Sequence, residues 1–161
     1  MSYILEKTGL DVDDQLTTVI GGIHLHDNST SQTIANGASY VKVINFSGNN
    51  DACDNLTCDY VNNKITILKA GKYTVNGAFS FASDTNNIYF YGTLFVNEVE
   101  INSCHFKRKI STVADVGAAP FSDTVELAVD DILTFRARHD NGSPVDVTFV
   151  YANLNASRSG I

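Results

Sequence analysis

Residues 70–98, AGKYTVNGAFSFASDTNNIYFYGTLFVNE, decide the fold. After the turn signal Ala70-Gly71-Lys72, side chains alternate. Tyr73, Val75, Gly77, Phe79 and Phe81 point one way, and Lys72, Thr74, Asn76, Ala78 and Ser80 the other. A period of two belongs to a strand, because it cannot line one face of a helix. The polar run Ser83-Asp84-Thr85-Asn86-Asn87 turns the chain, and residues 88–96, IYFYGTLFV, run back. Two strands joined by a short polar loop predict an antiparallel hairpin. The returning strand is aromatic or aliphatic on both faces, so it needs cover on both. In a chain of 161 residues, a second copy is one source of that cover.

Outward from this stretch the pattern repeats. Residues 40–46, 64–68, 121–127, 132–138 and 145–152 read as strands, and Asn36-Gly37, Asp130-Asp131 and Asp140-Asn141-Gly142 separate them as turns. Roughly eight to ten strands with little helical periodicity imply a β-sandwich or barrel. Residues 1–20 read differently: Leu5, Leu10 and Leu16 are loosely spaced and interrupted by Asp11, Asp13 and Asp14. The division expected is therefore an N-terminal arm over 1–20, one β domain over 21–155 and a loose tail over 156–161.

Composition narrows the function classes. Hydrophobic residues make up 43% and charged ones 18%, which argues against disorder. A net charge of -7 argues against gripping nucleic acid over a wide face. No stretch is apolar enough for a membrane span, and the first residues lack the basic start and apolar run of a signal peptide, so synthesis in the cytoplasm is expected. Three cysteines, Cys53, Cys58 and Cys104, leave an odd one over. On compartment grounds free thiols are favoured over a Cys53–Cys58 bridge.

Four motifs, taken in order, resemble the tumour necrosis factor and complement globular-head superfamily. Gly71-Lys72-Tyr73-Thr74-Val75 with Phe79-Ser80-Phe81 is similar to its G-x-Y-x-V…S-F segment. Residues 94–98, LFVNE, resemble its L-x-V-N-G turn with Glu98 in place of Gly. Residues 124–133 resemble its V-x-L-x-x-G-D-x-V turn with Asp130 in place of Gly, and residues 149–154 resemble its closing aromatic strand. The resemblance spans about residues 20–155 and implies a ten-stranded antiparallel jelly roll, assembled as a homotrimer with inner sheets facing a three-fold axis. Both Gly departures fall at turns where Gly supplies positive φ, which puts the local turn types in question.

The aromatic surplus, Tyr73, Phe79, Phe81, Tyr89, Tyr91, Phe95, Phe149 and Tyr151, then reads as the trimer interface. Without a collagen-like repeat and with an Asn- and Thr-rich surface, the chain resembles the phage branch of the family. The implied role is a non-enzymatic virion protein that decorates the head, its arm residues Leu5, Leu10 and Leu16 contacting the major capsid protein. The alternatives are a receptor-binding module at a head-fibre or tail-fibre tip, using loops 47–57 and 83–87 on a host surface glycan or receptor, and a secreted cytokine-like or coat ligand. Lys107, Arg108 and Lys109, beside His105, form the one basic cluster and are candidates for an acidic partner or for edge-strand protection. His24 and His26 share a strand face and can contribute to a metal site, though edge-strand histidines are the simpler reading. Asp51, Asp54 and Asp59 read more simply as an exposed acidic loop than as a calcium site. No nucleophile elbow or catalytic constellation is present, and no cofactor, nucleic acid or membrane is expected.

Overall fold

The computed structural model describes residues 18–160 apart from Ala38, Asp51 and Ala114. The arm leucines Leu5, Leu10 and Leu16, and Asp51 of the acidic loop, lie outside the described residues. The strands form two antiparallel sheets. The first contains β1 (Ile20–Leu25), β2 (Gln32–Ile34), β4 (Gly48–Asn49), β7 (Gly71–Ser83), β11 (Gly117–Leu127) and β13 (Val145–Gly160). Its order is β11-β7-β13-β1-β4, with β2 also beside β13. The second contains β3 (Val41–Lys42), β5 (Leu56–Asp59), β6 (Lys64–Ile67), β8 (Ile88–Val96), β9 (Val99–Glu100), β10 (Phe106–Ile110) and β12 (Ile132–His139). Its order is β10-β8-β12-β6-β5, with β3 beside β12 and β9 beside β8. The chain is thus an all-β sandwich. Thirteen strands are described instead of ten, several of them only two residues long.

The alternation in residues 72–81 is confirmed: Tyr73, Val75, Gly77, Phe79 and Phe81 are buried, and the intervening residues face outward. The hairpin is not. β7 pairs with β11 and β13, whereas β8 pairs with β10, β12 and β9 in the other sheet. Residues 84–87 therefore arch from sheet to sheet, held where the Asp84 N–H donates to Asp146 O at 3.1 Å. Alternation fixes which face a side chain takes and is silent about which strand lies beside it.

The C-terminal tail also differs from expectation. Residues 156–160 continue β13, with Ser157 opposite Ile20 and Gly160 opposite Lys72. The fold likewise begins before residue 21: Val19 is buried, and its carbonyl accepts the Arg158 N–H at 2.9 Å. Glu98 and Asp130 both take φ of +70°, so these turns keep the left-handed conformation even though neither residue is Gly.

Four phenylalanines join the sheets. Phe79 and Phe121 from the first meet Phe106 and Phe135 from the second, with ring planes 8–15° apart across the four stacked contacts and centroids 3.5–6.1 Å apart. Glycines on both sheets make room for them. A Cβ on Gly77 would lie 2.6 Å from the Phe121 ring, and one on Gly92 would lie 2.5 Å from the Phe106 ring. Such a slab buries large apolar area without any polar atom to satisfy.

Candidate functional site

The sandwich presents two broad outer faces, and the eight aromatics assigned to one interface divide between them and the core. Tyr73, Phe79, Phe81 and Phe149 are at most 3% exposed in the single chain. They cannot form an intersubunit surface, because their side of β7 and β13 packs on the second sheet. Phe149 and Tyr151 would share a face in a regular strand. A register shift between them turns Phe149 into the core and leaves Tyr151 46% exposed on the opposite side. Tyr89, Tyr91 and Phe95 lie on the outer face of the second sheet, remote from Tyr151.

The outer side of β8 finds its cover within the chain. In register, Lys107 of β10 and Arg138 of β12 stand directly opposite Tyr91 on its two flanks. The Arg138 guanidinium carbon lies 4.0 Å from the Tyr91 centroid and 5.3 Å from that of Tyr40. The Lys107 ammonium lies 4.2 Å from the centroid of Tyr89 and 5.0 Å from that of Tyr91. Lys109 reaches Tyr89 at 5.9 Å, and Arg136 covers Phe95 at 4.5 Å. Tyr40 adds an edge contact to Phe95, with centroids 5.5 Å apart. Cation–π contacts of this kind contribute about 0.5–1 kcal/mol each at exposed sites. This strand's two apolar faces therefore do not require a second copy.

Local electrostatics favour the charged forms here. Hydrogen bonding to Tyr91 raises the Lys107 ammonium above its ordinary range. The hydrogen bond from Arg136 holds the Glu98 carboxyl below its ordinary range. Glu100 pairs with His105 at 2.8 Å, and Asp140 accepts the Tyr89 N–H at 2.9 Å. Among the described residues no carboxylate forms a salt bridge with Lys107, Lys109 or Arg138. Arg108 is not part of this face. Its side chain turns the other way, packs beside Gly117 and donates to Ala118 O at 3.4 Å. The basic triplet is thus two outward lysines and one inward arginine, as strand alternation requires.

The outer face of the first sheet is its opposite in character. Asn76, Ala78, Ser80 and Ala82 of β7, Ala118, Pro120 and Ser122 of β11, and Thr148, Tyr151, Asn153 and Asn155 of β13 line it, all uncharged. Along these strands charge returns only at the margins, with Lys72, Glu126 and Asp146. An amide network crosses it. Asn50 Nδ2 donates to Asn155 Oδ1 at 2.5 Å, Asn155 Nδ2 donates to Asn76 Oδ1 at 3.2 Å, and Asn153 Oδ1 accepts the Ala78 N–H at 3.1 Å. Gly22 is needed beneath it, since a Cβ there would overlap both Asn155 and Asn50.

The remaining candidates separate. His24 engages Asn50 Oδ1 through Nδ1 at 3.2 Å, and His26 packs edge-on against Tyr151 with centroids 5.3 Å apart. No group of three or more His, Cys, Asp or Glu is gathered for a metal among the described residues. Asp59 accepts hydrogen bonds from the Asn62 backbone and side chain, which hold its carboxyl below the ordinary range. Loops 47–57 and 83–87 do not form one apical surface. Asp54 bridges Ile20, opposite Ser157, whereas Asp84 bonds Asp146 at the other end of β13. At about 3.3 Å per residue these points lie roughly 36 Å apart along the strand.

Cys53 and Cys58 form a disulfide, contrary to the expectation of free thiols. Their loop folds back beside β1 and brings the Cα atoms to 6.2 Å, within bridging range. Cys104 is a buried free thiol, pushed up to about 11 by burial and secondarily by Asp123. No helix among the described residues is long and apolar enough to cross a membrane.

No protein-family model matches the chain, and no curated protein does. Solved structures do share the fold. The Eiger tumour necrosis factor of S. frugiperda superposes with a TM-score of 0.60 at 9% identity, covering 88% of this chain and 92% of that one. The globular domain of zebrafish complement 1qA gives 0.62 at 14% identity, covering 88% and 97% respectively. The jelly-roll sandwich of these proteins is therefore the fold of this chain.

Proposed function

We propose that the protein is a non-enzymatic virion component, a homotrimer that decorates the outer surface of a phage head by binding the major capsid protein. The observation that carries the self-association is the uncharged outer face of the first sheet. The chain is 18% charged, yet this face keeps charge to its margins and surrounds Tyr151 with Ala78, Ser80 and Ala118. Charge depletion around an aromatic anchor is what marks the core of a protein interface. This face takes over the role first assigned to the aromatic set, of which only Tyr151 belongs to it. The acidic, compact domain suits a knob seated on a shell, with residues 1–17 and their leucines as the contact to capsid subunits.

Light scattering on the full chain at micromolar concentration tests the assembly. The expected mass is three times the 17.5 kDa of the chain, falling to a monomer in Ser80→Arg with the fold retained. A wild-type monomer would overturn the trimer. Gel densitometry of purified particles tests the role. Decoration predicts many copies per particle, and deletion of residues 1–17 should release the protein from capsids without unfolding it. Few copies would favour the fibre-tip alternative, for which the cation-lined face of the second sheet is the supporting observation, and none would favour the secreted-ligand alternative.

A further inference from the structure

We infer that the outer face of the second sheet binds a linear acidic polysaccharide, with one carboxylate or sulfate seated between Lys107 and Arg138 above Tyr91. The inference is independent of the trimer and of the virion role, since every residue it uses belongs to one chain.

Charge distribution is the first argument. The chain carries 11 Lys and Arg against 18 Asp and Glu. Lys42, Lys107, Lys109, Arg136 and Arg138, close to half of those cations, project from this single face. Lys42 joins it by standing opposite Arg136 in the β3–β12 pairing. Of these, Arg136 is neutralised by Glu98, and Lys42 donates to Asn62 O at 3.0 Å. Lys107, Lys109 and Arg138 are held by tyrosine rings instead of carboxylates. Asp140 adds to the rise of Lys107 through its charge, and its Oδ1 already accepts the Tyr89 N–H.

Register supplies the second argument. Lys107 and Arg138 approach the same ring from the two strands that flank β8. Two like charges on one ring repel until an anion sits between them. A guanidinium offers a paired N–H fork to a carboxylate or sulfate, and the ammonium completes the seat. Lys109 lies two residues along β10 from Lys107, about 7 Å away at strand rise, and so offers a second charge contact in line with the first. A polymer bearing a charge on every sugar or every second sugar meets such a row repeatedly, and its hydroxyls match those of Tyr89 and Tyr91.

The same geometry disfavours other polyanions. Single-stranded nucleic acid is held largely by bases stacked on open aromatic faces. Here Lys107 covers Tyr89 and Arg138 covers Tyr91, so those faces are taken. A protein partner needs a desolvated apolar anchor, and this flat face offers capped rings.

Isothermal titration of the full chain with a heparin-derived octasaccharide and with an oligogalacturonate, each at low and at physiological salt, tests the inference. The expected result is salt-sensitive binding of at least one of them. In the Lys107→Gln/Arg138→Gln double variant affinity should fall at least tenfold, and the slope of log affinity against log salt should become shallower by about two. Lys72→Gln, on the other sheet, should bind like wild type, and thermal unfolding of each variant establishes that the fold is intact. The inference is overturned if neither glycan binds at low salt or the folded double variant binds as well as wild type. Tighter binding of a single-stranded oligonucleotide than of either glycan would also overturn it.

Discussion

The phenylalanine slab predicts unequal costs for two single-methyl additions. In Gly77→Ala the new Cβ would stand 2.6 and 2.8 Å from Phe121 ring atoms and 2.7 Å from the carbonyl oxygen of Asn153. In Gly92→Ala it would stand 2.5 Å from two atoms of the Phe106 ring and 2.6 Å from Phe135 Cζ. Overpacking a filled core costs about 1–3 kcal/mol, and Ala in place of Gly within a strand returns about 0.5–1 kcal/mol of chain entropy. The net expectation is a loss of about 1 kcal/mol for Gly92→Ala. Gly77→Ala should lose about 2 kcal/mol, because the Asn153 carbonyl belongs to the β13–β7 pairing and cannot withdraw without loosening that ladder. Trimming the ring that is struck separates the two cases. In a double-mutant cycle Phe106→Leu should suppress the share of the Gly92→Ala penalty that its two contacts carry, the Phe135 contact remaining, whereas Phe121→Leu should leave the Gly77→Ala penalty largely in place. Urea unfolding at one fixed protomer concentration measures the wild type and all six variants. A neutral or stabilising Gly77→Ala, or its full rescue by Phe121→Leu, would refute the reasoning.

Three further changes follow from particular residues. Asp130 sits exposed at φ +70°, where an L-residue is strained by about 1–2 kcal/mol, so Asp130→Gly should stabilise by about 0.5–1 kcal/mol after the entropy of Gly, seen as a rise in Tm; a fall would refute it. His139 is buried, with Nε2 2.9 Å from Ile34 O and Nδ1 accepting the Asn141 N–H at 3.1 Å. His139→Phe keeps the ring volume and strands both partners, so unfolding free energy should drop by about 2–4 kcal/mol, and a drop below about 0.5 kcal/mol would sink that account. Without reductant, Ellman's reagent should find no reactive thiol in the native chain and one, Cys104, after denaturation, against three if Cys53 and Cys58 were free. Because the folded state holds the Cys104 proton up to about 11 from an ordinary 9.0, its contribution to stability is complete below pH 9 and is lost as pH rises toward 11; Cys104→Ala should remove that alkaline loss.

The sequence legibly encodes faces and leaves neighbours unstated. Tyr73 to Phe81 alternate as their spacing requires, and the four resemblance motifs lead to the fold that the tumour necrosis factor and complement structures share. Strand pairing is a relation between distant segments, so the local pattern at residues 83–87 looks the same for a hairpin turn as for an arch between sheets. Likewise, an apolar outer side on β8 is equally consistent with a second chain and with a roof of cations. The roof comes from Lys107 and Arg138, brought together only by register. Phe149 and Tyr151 misled because a bulge inverts parity without leaving a sequence signature. The five-residue separation of Cys53 and Cys58 allows a bridge, but spacing alone does not bring their Cα atoms together; the loop that folds back beside β1 does. The uncharged face is written in Ala78, Ser80 and Ala118, but only the β11-β7-β13 pairing gathers them beside Tyr151.

The two faces lie on opposite sides of the sandwich, and that separation has a consequence for avidity. A copy docked on Tyr151 and Ala78 leaves Lys107 and Arg138 of both copies uncovered, since two packed sheets about 10 Å apart stand between the faces. A trimer would thus carry three outward basic faces with none consumed by assembly. Each site rests on a few exposed cations and should be weak and salt-sensitive alone, but on a surface displaying many polymer chains the second and third contacts become effectively intramolecular. Ser80→Arg, which alters only the association face, should therefore bind a short acidic oligosaccharide in solution with unchanged affinity. On a densely coated sensor surface the same variant should dissociate about 10²-fold faster or more than wild type, by the avidity that linked sites provide. Equal dissociation of the two from the coated surface, with the variant confirmed monomeric, would show that assembly and glycan binding are not coupled in this way.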